Sequence, residues 1–153
     1  MMSQESAKTI AIACDHGGIE MKFALKETLE KGGYKTIDLG TNNETSVDYP
    51  DFAYKLSKVL IDEIALRGVL ICGSGIGISI AANRFPKIRA ALIHDALGAK
   101  LCRQHNNANV IAFGGRMVGI ETARDCLRIF LETEFEGGRH EQRVAKLLDP
   151  HLN

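Results

Sequence analysis

The 153-residue sequence carries no net charge, with Lys+Arg and Asp+Glu at 19 each. That excludes a general attraction to nucleic acid or anionic membrane, so any anion must be held by a local group of basic residues. The sequence also lacks any run near the roughly 18 consecutive apolar residues of a membrane span. Its opening, MMSQESAKTIAIAC, has one lysine and an apolar stretch soon ended by Asp15 and His16, too short for a signal h-region. A soluble, cytoplasmic protein with no nucleic-acid and no membrane partner is expected. There is no C-x-x-C pair: Cys14, Cys72, Cys102 and Cys126 lie far apart, which argues against a zinc knuckle or a small disulfide scaffold and for free thiols. Repeats, low-complexity tracts and linkers are missing too. The length suits one good core, so residues 1–153 read as a single domain.

What is present is an alternation of short β-rich runs with stretches of helical period. Thr9–Cys14, Thr36–Leu39, Val69–Cys72, Ile88–Ile93 and Val110–Phe113 read as strands. Met21, Leu25 and Leu29 repeat at helical spacing. Phe52, Leu56, Val59, Leu60 and Ile64 mark one face of a second helix, and Ile120, Ala123, Leu127 and Phe130 one face of a later helix. Gly32-Gly33 and Gly137-Gly138 read as helix stops, Pro50 as a first-turn residue, and Arg139–Leu148 as a final helix outside the alternating units. Strands apolar on both faces predict an α/β fold: a doubly wound, five-stranded parallel sheet between two helical layers, with an extra C-terminal helix.

Ligands of such a sheet bind at the carboxyl ends of its strands. Those ends carry Cys14-Asp15-His16-Gly17-Gly18, Gly40-Thr41 with the loop to Asp48-Tyr49-Pro50, Cys72-Gly73-Ser74-Gly75-Ile76-Gly77, His94-Asp95 and Gly114-Gly115-Arg116. The third is the most informative. Glycines alternating with small residues let several backbone N–H groups face one anion where a helix begins. No Gly-Lys-Ser/Thr follows, so it is not a P-loop. A dinucleotide fingerprint is half met by Gly73, Gly75 and Asp95, but Ile78 replaces the third glycine and the turn follows the third strand instead of the first.

Cys72 opens this nest at a helix N-terminus, where a thiol is expected to have a lowered pKa and usable thiolate. A buried small hydrophobe is the plain reading for the other three cysteines. Asp15 could be an acid/base or a helix N-cap, and taken alone the cap is favoured. Asp95 has the same ambiguity, and His94 beside it reads as a strand-end side chain. Arg139, His140 and Arg143 form a basic cluster whose arginines share a helix face and suit a phosphate, although a solvated face would look the same. His105-Asn106 follows a helix and precedes the fifth strand, so a helix of about ten residues carries it roughly 15 Å from its own carboxyl edge. If these residues act in catalysis, they act on a neighbour's site, which predicts a homodimer with shared sites.

With Cys14-Asp15-His16-Gly17, Asp48-Tyr49-Pro50, Ile71 through Gly77, Arg103-Gln104-His105-Asn106 and Gly137-Gly138-Arg139-His140 in order, the chain resembles type B ribose-5-phosphate isomerase. The wider family includes galactose-6-phosphate and allose-6-phosphate isomerases, and the match runs from about residue 8 to residue 147. The resemblance implies a Rossmann-like fold and an aldose-ketose isomerase of the non-oxidative pentose phosphate pathway. Cys72 would be the base moving a proton between C1 and C2 through a cis-enediol. Asp15, with the neighbouring subunit's His105, would open the sugar ring. Ser74, the Gly73, Gly75 and Gly77 amides and Asn106 would stabilise the enediolate. His16, Arg116, Arg139 and Arg143 would hold the phosphate of the small-molecule sugar phosphate, with Tyr49 lining the sugar. No metal and no organic cofactor would be required, and the assembly would be a dimer or a dimer of dimers. Some relatives carry threonine at the place of Ser74, and some lack the histidine or use another base. This chain has both Cys72 and His105, and so resembles the cysteine branch.

Two other readings stay open. One is a six-carbon substrate, allose or galactose 6-phosphate, which would need a longer reach from Cys72 to the arginines. The other is a non-catalytic phosphate-binding module, against which Cys72, Asp15 and His105 together speak.

Overall fold

The structure, a computed structural model, describes residues 4–151; the remaining residues of the expected domain lie outside the described ones. Strands β1 (Thr9–Cys14), β2 (Lys35–Asp38), β3 (Arg67–Cys72), β4 (Ala90–Leu92) and β5 (Val110–Gly114) form one sheet in the order β2-β1-β3-β5-β4. Every pairing is parallel. The helices are α1 (Gln4–Ala7), α2 (Ile19–Lys31), α3 (Tyr49–Ile61), α4 (Ile76–Ala82), α5 (Ala96–Gln104), α6 (Ile120–Glu132) and α7 (Arg139–Leu148). This is a Rossmann-like α/β fold, as the apolar strand pattern predicts.

The two-residue period of the strands sorts the core into two layers. Ile10, Ile12 and Cys14 of β1 point to the layer of α2, α5 and α6, where Leu25, Cys102, Leu127 and Phe130 are buried. Ala11 and Ala13 point the other way, onto Leu56 and Leu60 of α3 and Ile78 of α4. The central strands β1 and β5 are buried at every position, while the edge strands β2 and β4 are partly open. Each large apolar side chain so buried contributes about 1.5–3 kcal/mol, which fixes the layer assignment of every helix with such a face.

Some boundaries depart from the sequence expectation. β4 is shorter than Ile88–Ile93, because an edge strand keeps a ladder on one side only. Gly137-Gly138 does not stop a helix: α6 ends at Glu132 with Thr133 already extended, and the two glycines, at φ 65° and 56°, turn the chain into α7. The short α1 has no sequence counterpart in the strand-and-helix pattern. Helix α7 stands outside the alternating units as expected, with His140 and Val144 as its buried residues. Among the described residues, no helix is long and apolar enough to cross a membrane.

Candidate active site

The chain reverses its direction of travel across the sheet between β1 and β3, and at such a switch point the strand ends leave a crevice. The loops after these two strands touch there. Asp15 N–H donates to Ile71 O at 3.1 Å, and a Cβ on Gly17 would lie 2.9 Å from Gly73 N, closer than any side chain allows. The loop after β2 is drawn in as well, with Thr41 N–H donating to Cys14 O at 2.7 Å.

Cys72 ends β3 and is buried, and its Sγ accepts the Gly75 N–H at 3.1 Å. Gly75 caps α4 in the left-handed region, φ 75°, and a Cβ there would lie 2.6 Å from Leu92 Cδ1 and 2.7 Å from the Phe113 carbonyl carbon. Ser74 Oγ accepts the Ile76 N–H at 3.2 Å, which leaves its hydroxyl proton free to donate. The Tyr49 ring lies against Gly77, where a Cβ would be 2.6 Å from its Cζ. Arg116 approaches Gly73 to within 3.3 Å of where a Cβ would stand, and its own N–H donates to Gly73 O at 3.0 Å.

Asp15 is not the cap of α2; Gly18 holds that position. Its Oδ1 accepts the Gly17 N–H at 2.8 Å, which tightens the turn after β1 and holds the carboxylate at the crevice. His16 Nδ1 accepts the Val47 N–H at 3.2 Å, so the neutral ring carries its proton on Nε2, a donor for an incoming acceptor. Asp95, by contrast, is a true N-cap, accepting Gly98 N–H at 2.7 Å, and His94 is exposed.

The carboxyl edge thus gathers Asp15, His16, Tyr49, Cys72, Gly73, Ser74, Gly75, Gly77 and Arg116. It does not gather His105, Asn106, Arg139 or Arg143. Helix α5 runs from the carboxyl end of β4 back to the amino end of β5, a length of about 14 Å, and His105 caps its far terminus. There the His105 ring stacks on His140, centroids 4.3 Å apart and planes 14° from parallel. Arg139 and Arg143 flank His140 on α7 and are exposed. One chain therefore carries two separate halves of the predicted set, at opposite ends of its sheet. A hollow of about 590 Å³ between α2 and α6, lined by Tyr34, Arg124 and Arg128 among others, contains none of these residues.

Several residues around the halves have no signal in the sequence. Lys22 is wholly buried and donates to Asp38 Oδ1 at 2.7 Å and to Asn42 Oδ1, tying the loop after β2 to α2. Arg103 is buried beneath the His105 turn, donating to Thr133 O, Asn107 Oδ1 and Ala108 O. His140 is buried too, and burial, followed by the neighbouring His105 and Arg139, holds its imidazole below the usual range. A periodicity argument reads each of these as a solvated charge. Burial also pushes the thiols up, Cys14 to about 12 and Cys102 to about 11, so neither supplies a thiolate at neutral pH. Among the described residues, His105, Glu136 and His140 are the group that could hold a metal ion, with ligand atoms within 4.8 Å of one another.

A family model described as Ribose/Galactose Isomerase matches residues 10–147. Ribose-5-phosphate isomerase B of Escherichia coli is 44% identical over 140 residues, covering 92% of this chain and 94% of that protein. The D-erythrulose-4-phosphate isomerase of Pectobacterium atrosepticum is 39% identical, covering 91% of this chain and 92% of its own. Among solved structures, Clostridium thermocellum ribose-5-phosphate isomerase B superposes with a TM-score of 0.91 at 45% identity, covering 92% of this chain and 95% of that one.

Proposed function

The chain belongs to the ribose/galactose isomerase family, and on that premise we propose that it interconverts ribose 5-phosphate and ribulose 5-phosphate through a cis-enediol, with Cys72 as the base. The observation that carries this reading is the place of the Cys72 sulfur. It lies at the switch point, faced by a backbone N–H of the glycine nest, while burial pushes Cys14, the thiol that ends β1, up to about 12.

In the open-chain aldose, Cys72 Sγ takes the proton from C2 while the C2–H electron pair forms the C1=C2 bond and the C1 carbonyl oxygen takes up negative charge. The N–H groups of the nest, Ser74 and the neighbouring subunit's Asn106 stabilise that oxygen. The O2 proton passes to the charged O1, and the thiol returns its proton to C1 as the electron pair left on O2 re-forms a carbonyl at C2, giving the ketose. Ring opening falls to Asp15 with the neighbour's His105 as acid/base pair. His16 and Arg116 from one chain and Arg139 and Arg143 from the other hold the phosphate, and Tyr49 lines the sugar. No step calls for a metal or an organic cofactor.

A homodimer is part of the proposal, because one chain cannot bring His105 to its own Cys72. Its exposed apolar residues support this: Tyr49, Ile76, Leu97 and Met117, which border the carboxyl edge, are 41–64% exposed, and Leu147 and Leu148 of α7 are open as well. Such a rim favours a covering partner. A dimer of two such dimers and a cytoplasmic location are compatible with it. The family's range of sugars keeps hexose phosphates as the second reading.

The test is turnover of ribose 5-phosphate with chelator present, run beside allose 6-phosphate and galactose 6-phosphate. Pentose turnover is expected, with Cys72→Ala losing proton exchange at C2 but retaining ligand. A hexose preference would move the chain to a sister activity. Binding without turnover of any sugar would leave a phosphate-binding module.

A further inference from the structure

Where α7 begins, the His140 side chain is about nineteen-twentieths buried, yet its Nε2 has no hydrogen-bond partner. A buried nitrogen in that state is costly unless something completes its coordination. Its neighbours are ligand-type groups. Glu136 Oε2 lies 3.6 Å away, and the His105 ring stacks directly over it. The chain that presents Glu136 is fixed in place: Glu136 N–H donates to Gln104 O at 3.1 Å, and Arg103 anchors Thr133 O and the turn beyond His105.

We propose that His105, Glu136 and His140 form a binding site for a divalent transition-metal ion of the zinc class, and that the bound ion inhibits the isomerase by engaging His105. Two imidazoles and a carboxylate are a zinc-type donor set that leaves a fourth position for water. In tetrahedral zinc, bond lengths near 2.0–2.2 Å separate the donor atoms by roughly 3.4 Å. The three atoms here lie within 4.8 Å, so closure needs inward shifts of up to about 1.5 Å. Stacked rings cannot both direct in-plane lone pairs at one ion. The partly exposed His105 ring must turn about its Cβ–Cγ bond while buried His140 stays fixed, and half-exposed Glu136 is free to swing in. That turn takes His105 from the orientation in which it would serve a neighbouring Cys72. Metal binding stands on this cluster alone; inhibition rests on the isomerase reading.

The experiment uses the untagged, metal-stripped full chain titrated with Zn²⁺ by calorimetry and with Co²⁺ followed by visible absorption. One ion per chain with nitrogen and oxygen ligation is expected. Glu136→Gln and His140→Asn should each weaken binding by at least about tenfold. Turnover should fall with Zn²⁺ and recover with chelator, while Glu136→Gln keeps its basal rate and loses zinc sensitivity. No binding, binding unchanged in both variants, or a sulfur charge-transfer band lost in Cys72→Ala would overturn the site. Metal bound at the cluster with turnover unaffected would overturn the inhibition. A chain that binds zinc here but isomerises no sugar would refute the functional reading and leave the site standing.

Discussion

The Cys72 sulfur and the Gly75 N–H meet at 3.1 Å because Gly75 turns left-handed just before α4 begins. A Cβ at Gly75 has no room, and the φ of 75° is strained for any other residue. Gly75→Ala is expected to destabilise by about 2–5 kcal/mol, combining the left-handed cost with overpacking against Leu92 and Phe113. Urea unfolding measures it. A loss under about 1 kcal/mol would mean the turn adapts freely, and the sulfur contact with it.

Thiol labelling discriminates among the four cysteines. Burial keeps Cys14 near 12 and Cys102 near 11, and raises Cys126 as well, so these stay protonated at pH 8. Iodoacetamide should first modify Cys72, as read by peptide mass spectrometry, and ribose 5-phosphate should slow that reaction. Early labelling of Cys14 would contradict the assignment of the reactive thiol.

Subunit mixing tests the division of the site. Cys72→Ala and His105→Ala chains, each inactive alone, should regain activity when exchanged, since half of the sites in a hybrid dimer carry both intact residues. With exchange verified by native mass spectrometry, continued inactivity would show that His105 serves no neighbouring Cys72.

Acid sensitivity should trace to Asp38. Burial alone would raise its carboxyl, but the Lys22 hydrogen bond, the Gly40 N–H and the charges of Lys22 and Lys26 outweigh that and hold it below the usual range. The resulting stability is complete above the unfolded value of about 3.9 and is lost as pH falls through the lower folded value. Asp38→Asn, which leaves Lys22 buried without its counter-charge, should cost about 3–5 kcal/mol at pH 7, and the gap to wild type should narrow below about pH 4. Urea unfolding at both pH values measures this, and a constant gap would remove Asp38 as its source.

Periodicity carries the sheet because β1, β3 and β5 are apolar on both faces, and a strand of that kind can lie only inside a covered parallel sheet. It carries the Cys72 nest too, since alternating glycines announce close backbone approach. It does not carry Lys22 or Arg103, whose burial depends on acceptors far along the chain, Asp38 for the first and Thr133 for the second, nor His140, which lies under the stacked His105 ring. Asp15 shows the same limit. The residue type fits a cap, but three residues of turn intervene before α2, and the carboxylate closes that turn instead. Gly137-Gly138 misleads for a related reason, because positive φ starts a helix here as readily as it ends one elsewhere.

The placing of Cys72 and His105 at opposite ends of one sheet has a consequence for the cell that makes this chain. On the proposed reading an isolated polypeptide is catalytically silent, so when few copies are present, below the dissociation constant of the pair, flux rises with the square of their number. A doubling of synthesis well below that constant would then quadruple output, giving a sharp onset with no added regulator.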